Sequence, residues 1–272
     1  MRKHGIGSMV AGIAAAIALL SLGPKSAAGQ AATEPIGSGI VLTNDEAKAK
    51  VPTGPAPRLP DGRPDFSGIW SADLHFMYDI TEALKAGEKL PIQPWALKTA
   101  RERMSQDDPE ASCLPTGVPR LAPYPWSVAQ TPKYVYFLFE GNIHSYRQIF
   151  MDGRKHSADP NPTWYGESIG KYEGDTLVID TVGFNEKFWF DFAGHPHTEK
   201  LHTIERYRRP DLGHLEWETT IDDPGAYTKP FTLYGHSVLQ TDTDLIEYIC
   251  QENNKDVIHI QGKDPYNSLS KQ

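Results

Sequence analysis

The sequence predicts an all-β, mainly antiparallel fold: a lipocalin-like up-and-down β-barrel or a strongly curved sheet, preceded by a short helical and loop extension. From Lys133 onward the chain reads as strands: Tyr134–Phe139 is almost wholly apolar or aromatic, and Ile143–Met151 alternates with the period of two that a half-buried strand requires. Turn-forming clusters such as Glu140-Gly141-Asn142, Asp152-Gly153 and Glu173-Gly174-Asp175 punctuate these runs. About eight runs follow one another through short links, as in a meander, and closing the sheet hides its edges. A β-sandwich is the alternative architecture.

Residues 1–29 open with Arg2 and Lys3, continue through an apolar run from Met9 to Leu22 and end in small residues, the order of a cleaved secretory signal peptide. The run is too short for a comfortable membrane span of about 20 apolar residues. Residues 30–64 are rich in Ala, Gly, Pro and Thr and read as a linker or a strap across the domain. Residues 65–272 form the single β-rich domain, anchored at its start by Phe66, Ile69 and Trp70. Thr81 to Arg103 carries a helical pattern, with Pro94 at a helix start. Residues 105–126 read as loop, because Pro115, Pro119, Pro123 and Pro125 interrupt any ladder.

The predicted strands are Tyr134–Phe139, Ile143–Met151, Trp164–Tyr172, Thr176–Phe184, Leu201–Arg208, Leu215–Ile221, Thr228–Leu239 and Leu245–Gln251. Loss of Arg2, Lys3 and Lys25 with the signal takes the formal charge from −8 to about −11. An acidic surface repels nucleic acid and suits an exported, periplasmic or secreted protein with no membrane insertion after cleavage. Cys113 and Cys250 are either a disulfide, favoured by an oxidising compartment, or two buried thiols.

Titratable residues concentrate between Asn185 and Tyr227. His195 and His197 flank Pro196, which favours extended backbone and puts both imidazoles on one side. With His202 they form a candidate site for Zn²⁺, Cu²⁺ or Fe²⁺; otherwise His195 and His197 shape a tight turn. Along Leu201–Arg208, alternation puts His202, Ile204, Arg206 and Arg208 on one face, and Thr203, Glu205 and Tyr207 on the other. A second polar group comprises Asn142, His144, Tyr146 and Arg147. Histidine exchanges protons near neutral pH and arginine holds developing negative charge, so His144, Arg147, His202, Glu205 and Arg206 are the candidate catalytic set. Ser145 and Ser168 lack the strained elbow motif of a serine hydrolase, and no phosphate-cradling glycine loop is present.

The segments PDFSGIW, CLPTGVPR, EGNIHSYRQIFMDGRKH, PTWYGESIGKYEGDTLVIDTVGFN, GHPHTEKLHTIERYRR, TIDDPGAYTKPF and YICQENN cover most of the chain beyond Pro64. Together they resemble an uncharacterised family of secreted bacterial proteins. The resemblance implies export and carries no activity onto any residue.

The expected function is that of an exported enzyme. It would act on a small organic or sugar-like substrate by His/Arg/carboxylate acid–base chemistry of the lyase, hydratase or hydrolase type, with or without a metal. The competing expectations are a non-catalytic periplasmic ligand-binding barrel, with Trp164, Trp189, Tyr207 and Trp217 stacking on the ligand, and a structural envelope protein.

Overall fold

The computed structural model describes residues 51–71, 75–120, 124–141, 146–250 and 252. The signal-like segment 1–29, His144 and Asn142 lie outside them. No helix among the described residues is long and apolar enough to cross a membrane.

Among the described residues the fold is all-β, built from nine strands: β1 (Ile69–Trp70), β2 (Trp126–Gln130), β3 (Tyr134–Phe139), β4 (Tyr146–Phe150), β5 (Glu167–Glu173), β6 (Thr176–Val182), β7 (His202–Arg208), β8 (His214–Asp222) and β9 (Phe231–Gln240). Each strand pairs with the next, and the two-residue β1 pairs with both β2 and β9, so the ladder returns on itself. The sheet is mixed rather than purely antiparallel, because β4 and β5 run parallel. A parallel join needs a crossover in place of a hairpin, and residues 151–166 supply it. Two short helices, α1 (His75–Tyr78) and α2 (Pro94–Glu102), precede β2, with Pro94 in the first turn of α2 as expected.

Two strand expectations need correction. β2 begins at Trp126, at the end of a stretch read as loop. Leu245–Gln251 is not a strand over its described residues 245–250. Both sides of β9 are already occupied, by β8 and β1, so that run has no partner there. It is held covalently: Cys250 is disulfide-bonded to Cys113, with Cα atoms 5.8 Å apart.

Alternation sorts the side chains as the pleat demands. Val135, Phe137 and Phe139 of β3, Leu177 and Ile179 of β6, and Leu215, Trp217 and Ile221 of β8 are buried with the apolar core. The long β6–β7 connection adds Phe184, Phe188 and Phe190 to it. Two aspartates fasten it: Asp191 accepts from the amides of Ile80 (2.7 Å) and His195 (3.0 Å), and Asp223, after β8, from that of Thr198 (2.6 Å). Gly117 (φ +71°) lies against the Phe188 ring, where a Cβ would fall 2.3 Å from ring carbons.

Residues 51–64 behave as a strap. Pro55 bridges to Asp211, and Arg58 pairs with Asp175 at 2.7 Å. Arg209, in the β7–β8 turn, donates to the carbonyls of Asp65, Ser67 and Leu212 with its guanidinium over the Trp70 ring. It thereby ties the chain segment before β1 to the far end of β7.

Candidate active site

Thr203, Glu205 and Tyr207 face inward from β7, and Arg147 faces inward from β4. The Arg147 and Glu205 side chains are 1% and 0% exposed. They meet in a bidentate pair: Nη1 to Oε1 at 3.0 Å and Nη2 to Oε2 at 2.5 Å. Arg147 also donates to Thr181 Oγ1 (2.8 Å) and Ser168 Oγ (3.2 Å), while the Tyr207 hydroxyl donates to Glu205 Oε1 (3.0 Å). Removing two charges from water is costly, and the fork-on-carboxylate geometry with three hydroxyls is what offsets that cost. Burial pushes the Arg147 guanidinium down, but the charge and hydrogen bonds of Glu205 outweigh it and leave the net shift upward. Burial and the neighbouring Glu205 charge push the Tyr207 phenol well up, so it stays a donor.

On the far side of Arg147, a cleft of about 420 Å³ opens where β4 and β5 join. Only Ile149↔Ser168 and Phe150↔Ile169 are paired there. Tyr146, Phe150, Trp164 and Tyr165 supply aromatic wall, and Arg147, Ser168 and Glu167 supply the polar part.

From Glu167 a chain of acid–base groups runs along the outer face of β5, β6 and β7. Glu167 Oε1 lies 3.1 Å from His156 Nδ1, and the other ring nitrogen, Nε2, lies 3.1 Å from Asp180 Oδ1. The same Oδ1 lies 2.8 Å from His202 Nε2. Glu167 is itself fixed by the Ser157 amide (2.7 Å) and hydroxyl (2.6 Å). Those Ser157 hydrogen bonds, with a smaller contribution from His156, hold the Glu167 carboxyl below its ordinary range.

The structure thus brings Arg147 and Glu205 together and leaves His202 and Arg206 apart from them, while His144 lies outside the described residues. His202 and Arg206 project from the opposite face of β7. Arg206 pairs with Glu173 at 2.9 Å and Glu218 at 3.5 Å, a half-exposed cross-strand arrangement rather than a partner of Glu205. The metal grouping His195, His197 and His202 does not converge. His195 Nδ1 lies 2.5 Å from Asp191 Oδ2, and the His197 ring stacks on Phe188 and Phe190 with centroids 3.9 and 5.1 Å away. Burial drives the His197 imidazole down to about 4. The proline between them sits in a buried loop, not on a strand face.

Asp79, Asp191 and His195 do place potential ligand atoms within 4.8 Å of one another. Their oxygens, however, already serve the amides of Thr81, Ile80 and His195, which makes them a local scaffold for this loop. Sequence reasoning missed His156, Glu167, Asp180, Ser168 and Thr181. Alternation along β5 and β6 separates Ser168 and Thr181 from Glu167 and Asp180, but only the parallel join reveals that His156 returns to them. No family model, curated protein or solved structure matches the chain.

Proposed function

We propose that this chain is an exported enzyme performing acid–base chemistry on a small organic or sugar-like substrate held in the β4–β5 cleft. Glu167 is the observation that carries the reading: it belongs at once to the cleft wall and to the chain Glu167–His156–Asp180–His202. A substrate seated against Trp164 and Phe150 would lie beside a carboxylate held ionised and an imidazole able to take or give a proton. Arg147 and Glu205 then act from behind the cleft, fixing β4 against β7. The ring of nine strands, read as a lipocalin-like barrel, is the rigid support. Lyase, hydratase and hydrolase reactions on a small neutral or acidic molecule all fit these groups.

The test is a turnover screen of the purified protein against chromogenic esters, chromogenic glycosides and unsaturation-forming uronides. The His156→Ala and His202→Ala variants are run beside it. The expected result is turnover of one class, reduced about 10²–10⁴-fold in kcat/KM by loss of the acid–base group. Unchanged turnover in both variants refutes the assignment.

A non-catalytic ligand-binding protein is the second reading. The aromatic walls of the cleft and the mutual satisfaction of Arg147, Glu205 and Tyr207 favour it. Saturable quenching of tryptophan emission by a ligand that is never transformed would select it.

A further inference from the structure

Alternation buries Val135, Phe137 and Phe139 of β3 and Arg147 and Ile149 of β4, so the residues between them face away from the core. That solvent-side set is Tyr134, Tyr136, Leu138, Tyr146, Gln148 and Phe150, all uncharged and none fully buried. The solvated face of an antiparallel pair ordinarily carries polar residues. Here the register sets Tyr134 opposite Phe150 and Tyr136 opposite Gln148, and the rings form a ladder. Tyr134 lies 5.7 Å from Tyr136 and 5.8 Å from Phe150, and Tyr136 lies 6.2 Å from Tyr146, centroid to centroid. Cross-strand packing accounts for Tyr134 on Phe150. It does not account for Tyr146, which is 42% exposed at the end of the ladder. Tyr146, Gln148 and Phe150 also belong to the wall of the β4–β5 cleft, so the ladder runs directly into it.

We propose that the ligand is a neutral glycan chain, with one sugar seated in the cleft and the next ones stacked along Tyr146, Tyr136 and Tyr134. A pyranose ring presents a patch of C–H groups on its face and hydroxyls round its rim. The patch packs on an aromatic face, and polar tips such as the tyrosine hydroxyls, Gln148 and Glu167 meet the rim. Successive rings of the ladder are tilted by 39°, 62° and 68°. A flat, rigid ligand therefore touches one ring at a time, whereas a glycan turns about its glycosidic bonds and follows them. Charge favours a neutral chain over a uronate: the strip is uncharged, and Arg147 in the cleft is committed to Glu205. Phe150 already carries the Arg154 guanidinium 3.7 Å from its centroid, itself paired with Asp152, so the stacking surfaces fall to the three tyrosines. A protein partner is the competing occupant. The strip is only two strands wide, whereas a stable protein interface covers about 800 Å² of each partner. The inference rests on the reading of the cleft as a substrate site, and the experiment separates the two.

The full chain is run through native gels containing neutral glucans, xylans, mannans or galactans, and through gels containing polygalacturonate. Oligosaccharides of the retarding polymer, from the disaccharide upward, are then titrated by calorimetry. The expected results are retardation by a neutral polymer and an affinity that rises with chain length until the strip is covered. Tyr134→Leu and Tyr136→Leu keep apolar volume but lose the flat ring. Each should weaken the longer oligosaccharides about 2–10-fold and leave the disaccharide unchanged, while Tyr146→Leu weakens both. Circular dichroism matching the parent shows that each variant is folded, and the length dependence of the parent decides the matter if one is not. Retardation by no neutral polymer, retardation by polygalacturonate alone, or affinity independent of chain length overturns the inference. So does dimerisation that is lost in Tyr136→Leu while no glycan binds, which would assign the strip to a second copy of the chain. Length-dependent binding without turnover of any substrate leaves the glycan strip standing and removes the enzymatic reading; turnover of a small substrate with no length-dependent glycan binding does the reverse.

Discussion

Replacing Glu205 by Leu isolates the energetics of the inner network. The substitution leaves the Arg147 guanidinium, 1% exposed, without its counter-charge, and it removes the acceptor of the Tyr207 hydroxyl. Stranding one charge of a buried pair costs about 3–5 kcal/mol, against a total stability on the order of 5–15 kcal/mol. In a chain of this size that corresponds to a fall in melting temperature of roughly 6–20 °C. The double variant Arg147→Met/Glu205→Leu removes both charges. Ser168 and Thr181 still bond to each other at 3.0 Å, so only the Tyr207 hydroxyl loses its partner, at a cost of about 1–3 kcal/mol. The double variant should therefore be more stable than Glu205→Leu alone, and Tyr207→Phe added to it should recover part of the remaining loss. Urea denaturation, with midpoint and slope both recorded, measures each step. If the double variant is as unstable as the sum of the single ones, charge pairing is not what holds Arg147, and the account given for this network is wrong.

Three further outcomes follow from individual contacts. The Cys113→Ser/Cys250→Ser protein should lose up to about 5 kcal/mol, because the bond closes a sequence separation of 137 residues; comparing urea midpoints of the variant and the oxidised parent checks this. His197 titrates at about 4 when folded against an ordinary 6.5, so the unfolded chain takes up its proton first as the pH falls. Stability should then decline below pH 6.5, by about 2 kcal/mol at pH 5 and about 3 kcal/mol below pH 4. In His197→Phe, which keeps a ring between Phe188 and Phe190, the urea midpoint should lose that component of its pH dependence. Arg208→Ala, at a side chain 56% exposed and paired with Glu216, should shift the melting temperature by less than about 2 °C in a thermal scan.

Alternation separated the two faces of β7 before any coordinates, setting Glu205 and Tyr207 against Arg206 and Arg208, but whether Glu205 points inward is decided only by the structure, which buries it. The same rule separates Arg206 from Glu205, since neighbours along a strand never share a face. What could not be read is which strands meet. β2 begins where closely spaced prolines end, and those prolines dominate the local signal. The apolar run at 245–250 has strand composition but no open edge of β9 to join, which is a property of the sheet rather than of the run. Arg147 and Glu205 are 58 residues apart, and their pairing depends on β4 and β7 facing one interior. His195 and His197 misled because Pro196 fixes one backbone angle but says nothing about whether the segment is a strand or a buried loop.

The parallel join explains why the cleft and the Glu167–His156–Asp180–His202 contacts are neighbours. β5 and β6 are paired along seven residues of each, whereas β4 and β5 share two pairs and part beyond them. A parallel neighbour cannot be reached by a hairpin, so the chain leaves β4, crosses over as residues 151–166 and returns at β5. The opened seam becomes the cleft, with Trp164 and Tyr165 delivered to its wall by the returning crossover. The same excursion carries His156 out over β5 and β6, where regular antiparallel pairing has already aligned Asp180 and brought His202 alongside. Glu167, the first residue of β5, stands where seam and crossover meet and touches both. Converting the join to an antiparallel hairpin would remove cleft and histidine together, so the departure from a regular meander is the structural source of the proposed chemistry.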